Sequence, residues 1–181
     1  MLKRLVCLML ALLLPCYAAA EDALRIVPYE PTQTETDYAV LLGLDVPTQL
    51  YRYDSAAALR MNVYTLQNDT WALVDTRDLP LPGATGRIAL QGDLTASLRI
   101  SLQSGNVTES LSWQPLLTMA LPDMSTSTAT LCTEAVAAPG VEIPLCIQCG
   151  DDAFPLTIDH FAAPADLPYP AYAITLLAES P

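Results

Sequence analysis

The sequence predicts an all-β fold, an antiparallel β-sandwich or open barrel of about nine to ten strands. Short segments alternate between apolar and polar residues, and turn residues recur about every ten positions, as in sandwiches and barrels. Helix signals are weak, because fifteen prolines interrupt the chain of 181 residues and no long segment repeats apolar residues at helical spacing. Few charges and 52% hydrophobic residues exclude an intrinsically disordered chain.

The first twenty residues have the pattern of a secretory signal peptide. Lys3 and Arg4 precede a short apolar run from Leu5 to Leu14, and Ala18–Ala20 provides an A-x-A cleavage pattern. No apolar stretch long enough to span a membrane follows the predicted cleavage site. We therefore expect residues 21–181 to form a single β-sandwich domain that is secreted or located in the cell envelope.

The chain is strongly acidic, with a formal net charge of −12. Two of its eight cationic residues lie in the predicted signal peptide, which leaves six arginines and no lysine. This balance argues against nucleic acid as a partner, because phosphate binding needs a basic surface. Acidity keeps an exported protein soluble, and the expected partner is a protein or a glycan.

Alternation with a period of two residues marks individual strands. Residues Tyr38–Val46 and Leu94–Gln103 each place their apolar side chains on one face, which is typical of a half-buried strand. Tyr172–Ala178 is apolar apart from Thr175, and we expect this last strand to be buried between neighbours.

Two turns are expected to close hairpins. Asn68-Asp69 separates the strand candidates Leu59–Leu66 and Trp71–Thr76, and both turn residues tolerate the left-handed conformation that tight hairpins need. Ser104–Asn106 forms a second turn with a glycine at its centre.

The cysteines of the exported chain are Cys132, Cys146 and Cys149, in a compartment that permits disulfides. Thr128–Val136 and Val141–Cys149 can form a hairpin, and the register that aligns their polar faces sets Cys132 opposite Cys146. We therefore predict a Cys132–Cys146 disulfide and a buried free thiol at Cys149. A Cys132–Cys149 bridge is the alternative, but it would join a polar face to an apolar one.

Cys146 and Cys149 also match the C-x-x-C pattern of redox and zinc sites. Redox motifs of this type begin a helix, whereas a loop-forming segment, Gly150–Asp152, follows here. Zinc would need further ligands, and His160 is the chain's single histidine. A metal site is therefore not predicted. Residues three apart on a regular strand point to opposite faces, so Cys146 and Cys149 are not expected to form a disulfide with each other.

Tyr51 and Tyr53 share one strand face on either side of Arg52, and these three residues form a candidate platform for a ligand such as a sugar. Glycine-rich phosphate loops are absent, so no nucleotide or flavin cofactor is expected. A Ser-His-Asp arrangement could use only His160, which lies in a proline-rich loop, and no G-x-S-x-G elbow is present, so no triad is predicted.

The sequence is best interpreted as a non-catalytic, extracytoplasmic binding or interaction module with an unknown ligand. One alternative is an exported thiol-redox protein that uses Cys146 and Cys149. The other is a glycan-active enzyme with two catalytic carboxylates, since twenty acidic residues are available and no pair is singled out.

Overall fold

The computed structural model describes residues 23–41, 48–79, 85–93, 97–113 and 126–179, which form an antiparallel β-sandwich, as the sequence predicts. Residues 1–20, the predicted signal peptide, lie outside these ranges. No helix in the described part of the chain is both long and apolar enough to cross a membrane. The elements in chain order are β1 (Leu24–Pro28), α1 (Gln33–Leu41), β2 (Thr48–Asp54), β3 (Leu59–Gln67), β4 (Thr70–Leu79), β5 (Thr85–Asp93), β6 (Ser97–Ser104), β7 (Val107–Trp113), β8 (Ser127–Thr130), β9 (Ala135–Ala137), β10 (Ile143–Cys149), two 3₁₀ turns (Ile158–Phe161 and Pro164–Asp166) and β11 (Ala171–Ala178).

The strands are arranged in two sheets. Sheet A has the order β7–β6–β5–β2–β1–β9, and sheet B has the order β4–β3–β11–β10–β8. Every neighbouring pair is antiparallel. The described residues form eleven strands, slightly more than expected, because the predicted strand Thr128–Val136 is divided into β8 and β9.

The hydrophobic core lies between the two sheets, because alternate residues of each strand point inward. Each fully buried aliphatic side chain contributes about 2 kcal/mol relative to leaving it in water. The largest buried side chains of this core from sheet A include Ile26, Tyr51, Ile88 and Ile100, and those from sheet B include Met61, Leu145, Ile174 and Leu176.

Both predicted hairpin turns are confirmed. Asn68 and Asp69 join β3 to β4 with φ angles of 49° and 58°, in the left-handed region that these two residue types tolerate. Gly105, with φ of 56°, lies in the turn between β6 and β7. Each turn closes its hairpin through its own residues and does not depend on contacts with distant segments.

The last strand is buried on both faces, as its apolar sequence predicts. β11 lies at the centre of sheet B, hydrogen-bonded to β3 on one side and β10 on the other. Its inner face contributes to the core, and Ala171 on the outer face packs with Leu66, Cys149 and Leu167 in a second, smaller cluster. The segment between β10 and β11 therefore covers part of the outside of sheet B.

The expected strand Tyr38–Val46 is wrong, because its first residues belong to helix α1 and positions 42–46 lie outside the described residues. The helix begins with a capping box. The Glu35 carboxylate accepts the Thr32 N–H at 2.8 Å, and the Thr32 hydroxyl oxygen accepts the Glu35 N–H at 3.3 Å. These reciprocal bonds satisfy two free backbone donors at the helix start and favour a helix despite the alternating pattern.

The expected hairpin between Thr128–Val136 and Val141–Cys149 is also wrong, because its first strand is divided between the two sheets. β8 pairs with β10 in sheet B, whereas β9 pairs with β1 in sheet A. Within the β8–β10 pair, Thr130 lies opposite Cys146, so the register differs by two residues from the one that placed Cys132 there.

Candidate functional site

A groove, which we call the outer groove, runs along the face of sheet A that points away from sheet B. Outward-facing residues of β2, β5 and β6 form its floor, and α1 with the segment before it forms one wall. Two adjoining cavities of about 590 and 480 Å³ make up the groove, and they share Arg87 and Gln103. Both volumes are typical of small-ligand sites.

The floor of the outer groove combines apolar and hydrogen-bonding side chains. The strands place them there because Tyr51, Ile88 and Leu102 point into the core and their sequence neighbours point outward. The apolar floor residues are Leu50 and Ala89, and the polar ones are Gln91, Ser101 and Gln103.

Two arginines lie side by side in the outer groove. Arg52 on β2 is directly opposite Arg87 on β5. Their guanidinium carbons lie 4.5 and 5.2 Å from the ring centroid of Tyr29, and each such cation–π contact contributes about 0.5–1 kcal/mol at an exposed site. Like charges directly opposite each other on a sheet are unfavourable. The arrangement thus concentrates positive charge at one point of a chain whose formal net charge is −12.

Glu35 ties helix α1 to the arginine pair. Its carboxylate accepts the Tyr29 hydroxyl at 2.6 Å and the Thr32 hydroxyl at 2.9 Å, in addition to the capping N–H. The Arg87 guanidinium is farther away, at 3.7 Å. The hydrogen bond from Tyr29, followed by those from Thr32, lowers the pKa of Glu35 to about 2. The carboxylate therefore stays ionised, and Tyr29 is held beneath the arginines.

Acid is expected to loosen this wall of the groove. The pKa of Glu35 is lower in the folded chain than its ordinary value of 4.5. The contribution of the ionised carboxylate to the stability of the fold is therefore present above pH 4.5 and is lost as the pH falls towards 2. NMR titration of the Glu35 carboxyl carbon should give a midpoint near pH 2. Tyr29→Phe removes the main donor and should raise that midpoint, whereas a wild-type midpoint near 4.5 would contradict the arrangement.

The structure divides the candidate platform of Tyr51, Arg52 and Tyr53. Both tyrosines are buried in the core, at 1% and 3% exposure, and the Tyr51 hydroxyl donates to the Leu145 carbonyl at 3.0 Å. Neither ring can therefore offer its face to a ligand. Arg52 is exposed on the opposite face of β2, in the outer groove.

Sequence reasoning missed Tyr29, Glu35 and Arg87. The T-x-x-E pattern at Thr32–Glu35 is a local signal that predicts a helix start and could have been found. The position of Arg87 opposite Arg52 depends on pairing between distant strands, for which the sequence carries no local signal.

The three cysteines among the described residues are not joined by disulfides, and they lie in different environments. Cys132 is exposed, and Cys146 packs against the core between the sheets. Cys149 is buried in the smaller cluster on the other side of β10. Burial raises the pKa of Cys146 to about 12 and is the main reason that the pKa of Cys149 is also raised. A raised pKa keeps a thiol protonated at neutral pH, which disfavours redox exchange through this pair.

Under oxidising conditions Cys132 is expected to bond to Cys146. The Leu131 N–H donates to the Leu145 carbonyl at 3.0 Å, which continues the antiparallel register that sets Thr130 opposite Cys146. Cys132 and Cys146 therefore lie diagonally across adjacent segments, and a small backbone shift brings them within bonding distance. Closing this loop should stabilise the fold by about 2–3 kcal/mol.

Peptide mapping without reduction checks the predicted disulfide. Cys149→Ser should retain the cross-link and Cys132→Ser should lose it, while a reducing agent should lower the melting temperature of wild type but not of Cys132→Ser. A cross-link that includes Cys149 would contradict the pairing.

His160 has a local structural environment. It lies in a 3₁₀ turn with its Nδ1 atom 2.9 Å from the Thr157 hydroxyl, and its ring meets the Phe154 ring edge to face at 5.3 Å. Among the residues that the structure describes, no group of three or more His, Cys, Asp or Glu side chains could hold a metal ion.

No protein-family model, curated protein or solved structure matches this chain. Its function is therefore inferred from the chemistry of the outer groove alone.

Proposed function

We propose that this protein is a non-catalytic, extracytoplasmic binding module that holds its ligand in the outer groove. The observation that carries the proposal is the groove itself, two adjoining cavities of ligand size that share Arg87, with its cross-strand neighbour Arg52 lining the smaller one. Its floor is a hydrogen-bonded sheet, and a rigid floor keeps side chains in place for binding. The extracytoplasmic location rests on the signal-peptide pattern of residues 1–20.

The composition of the groove favours binding over hydrolysis. Glycoside cleavage needs two carboxyl groups, one of which must carry a proton. Glu35 supplies the one carboxylate among the described lining residues, and a pKa of about 2 keeps it ionised at neutral pH. Tyr29 and Thr32 donate three hydrogen bonds to its Oε2 atom, so Glu35 positions the wall of the groove.

Blocking the groove tests the proposal. Ala89 lies on its floor, and Ala89→Trp should fill the space that a ligand occupies. Val74→Trp is the matched control, because Val74 is exposed on a strand of the other sheet. A ligand identified from a panel of oligosaccharides and peptides should bind wild type and Val74→Trp equally and lose at least tenfold in affinity for Ala89→Trp.

Two results would overturn the proposal. The ligand could bind Ala89→Trp as tightly as wild type, which would place its site elsewhere. Alternatively, the protein could hydrolyse the ligand and lose that activity through one point substitution, which would make it an enzyme.

A further inference from the structure

We infer that the ligand is an acidic glycan whose uronic acid carboxylate is bound between Arg52 and Arg87. This inference rests on the proposed function, and it adds the chemical class of the ligand. A guanidinium group presents a planar fork of donors that matches a carboxylate, and two adjacent forks can hold one carboxylate from both sides.

The arginine pair differs from three of the four other arginines that the structure describes in how its charge is balanced. Those three have a carboxylate close by: Arg25 has Glu134 at 2.8 Å, Arg60 has Asp78 at 2.7 Å and Arg77 has Asp75 at 3.0 Å. Arg99 has a neutral partner, the Ser110 hydroxyl at 3.3 Å.

Arg52 rests over Tyr29 and forms no ion pair with a carboxylate among the described residues. Arg87 lies 3.7 Å from the Oε1 atom of Glu35, beyond hydrogen-bond distance, and Tyr29 and Thr32 bond the other oxygen, Oε2. Most of the guanidinium donors of the pair therefore remain available to a ligand.

The net charge of the protein favours a carboxylate over a phosphate ester. A chain with a formal charge of −12 repels anions in general, and the repulsion grows with the charge of the ligand. A uronate carries a single charge, whereas a phosphate monoester carries close to two at neutral pH. At physiological salt the general repulsion is screened beyond about 8 Å, so a single carboxylate in contact with both arginines retains its attraction.

The floor of the groove favours a glycan over a peptide. An extended peptide that binds a β-sheet through its backbone adds a strand at the sheet edge, where backbone N–H and C=O groups are free. β2, β5 and β6 each have a hydrogen-bonded neighbour on both sides, so their backbones are occupied. What remains are the amide and hydroxyl groups of Gln91, Ser101 and Gln103, which can bond sugar hydroxyls, and the apolar surface of Leu50 and Ala89 for a sugar ring.

Binding measurements with three probes test the inference: a galactose tetramer that carries one galacturonic acid unit, which is the uronate probe, the corresponding neutral galactose tetramer and a short peptide with a single aspartate. The uronate should bind wild type, and its affinity should fall as salt increases. Arg52→Gln and Arg87→Gln should each weaken it at least tenfold, and Arg87→Lys should weaken it less, because it keeps the charge and loses the fork. Arg60→Gln, which removes one positive charge from sheet B, should leave the affinity unchanged. Thermal unfolding of each variant checks that the fold is retained.

The outcomes separate this inference from the proposed function. Three results would overturn the inference of an acidic glycan but leave the outer groove as the binding site. The neutral tetramer could bind as tightly as the uronate, or the peptide could bind more tightly. Arg87→Gln could also have no effect while Ala89→Trp still abolishes binding. Inorganic phosphate that competes with the uronate at equal concentration would show a general anion site instead. Failure of the uronate to bind at millimolar concentration would also overturn the inference. If binding depends on charge but Ala89→Trp does not change it, the ligand does not bind in the outer groove, and the proposed function is wrong.

Discussion

Glu142→Leu is expected to lower the free energy of unfolding by about 4 kcal/mol, because it leaves several donors on the outside of sheet B without an acceptor. The Glu142 carboxylate reaches over β3 and β11 from the loop before β10. It accepts three hydrogen bonds there, from Asn62 Nδ2 at 2.6 Å, Tyr64 Oη at 2.5 Å and Thr175 Oγ1 at 3.0 Å. Asn62 and Thr175 are buried, at 5% and 0% exposure, so water replaces the lost acceptor poorly.

Glu142→Gln is the matched control. It keeps one acceptor oxygen at the same position and should cost about 1 kcal/mol, measured like the leucine variant by urea denaturation. The tyrosine titration gives a second readout. Burial, and then the hydrogen bond to the Glu142 carboxylate, raise the pKa of Tyr64, so Glu142→Gln should lower that pKa towards 10. Equal stability of the leucine variant and wild type would show that the three donors do not depend on Glu142.

Gly86→Ala is expected to destabilise the fold by about 3–4 kcal/mol, because the new methyl group has no space. A Cβ atom at position 86 would overlap the backbone carbonyl oxygen of Gln103 and the buried ring of Tyr53. The carbonyl belongs to the neighbouring strand and cannot move without disturbing the β5–β6 pairing. A backbone shift that made room for the methyl group would also displace Arg87, the next residue, and weaken ligand binding in the outer groove.

Gly105→Ala separates overlap from backbone strain. No atom lies within 4 Å of a Cβ at position 105, but its φ of 56° disfavours an L side chain, which costs about 1 kcal/mol. Thermal or urea unfolding of the two variants should therefore give clearly different losses. Similar losses at both positions would show that the space around Gly86 is larger than the structure indicates.

Local chemistry explains which parts of the fold could be predicted from the sequence. The Asn68-Asp69 turn needs only its own residues to close a hairpin, and the apolar strand Tyr172–Ala178 can be buried only between neighbours. Helix α1 was missed because the alternation in Tyr38–Val46 outweighed the capping box at Thr32–Glu35, although that box is also local.

The rest depends on pairing between distant segments. The division of Thr128–Val136 between two sheets follows from β9 pairing with β1, more than a hundred residues away, and it alters the register around Cys146. The same holds for the outer groove. Arg52 was recognised as a candidate, but Arg87 and Tyr29 join it only through strand register and the position of α1.

The central place of β11 has a consequence for how the protein is made. β11 follows every other described strand along the chain, and until it is synthesised β3 and β10 have no strand between them. The two parts of sheet B therefore cannot assemble while the nascent chain is incomplete, and pairing of such distant segments is intrinsically slow. Such a delay is compatible with the proposed extracytoplasmic location, because a translocation channel passes an unfolded chain.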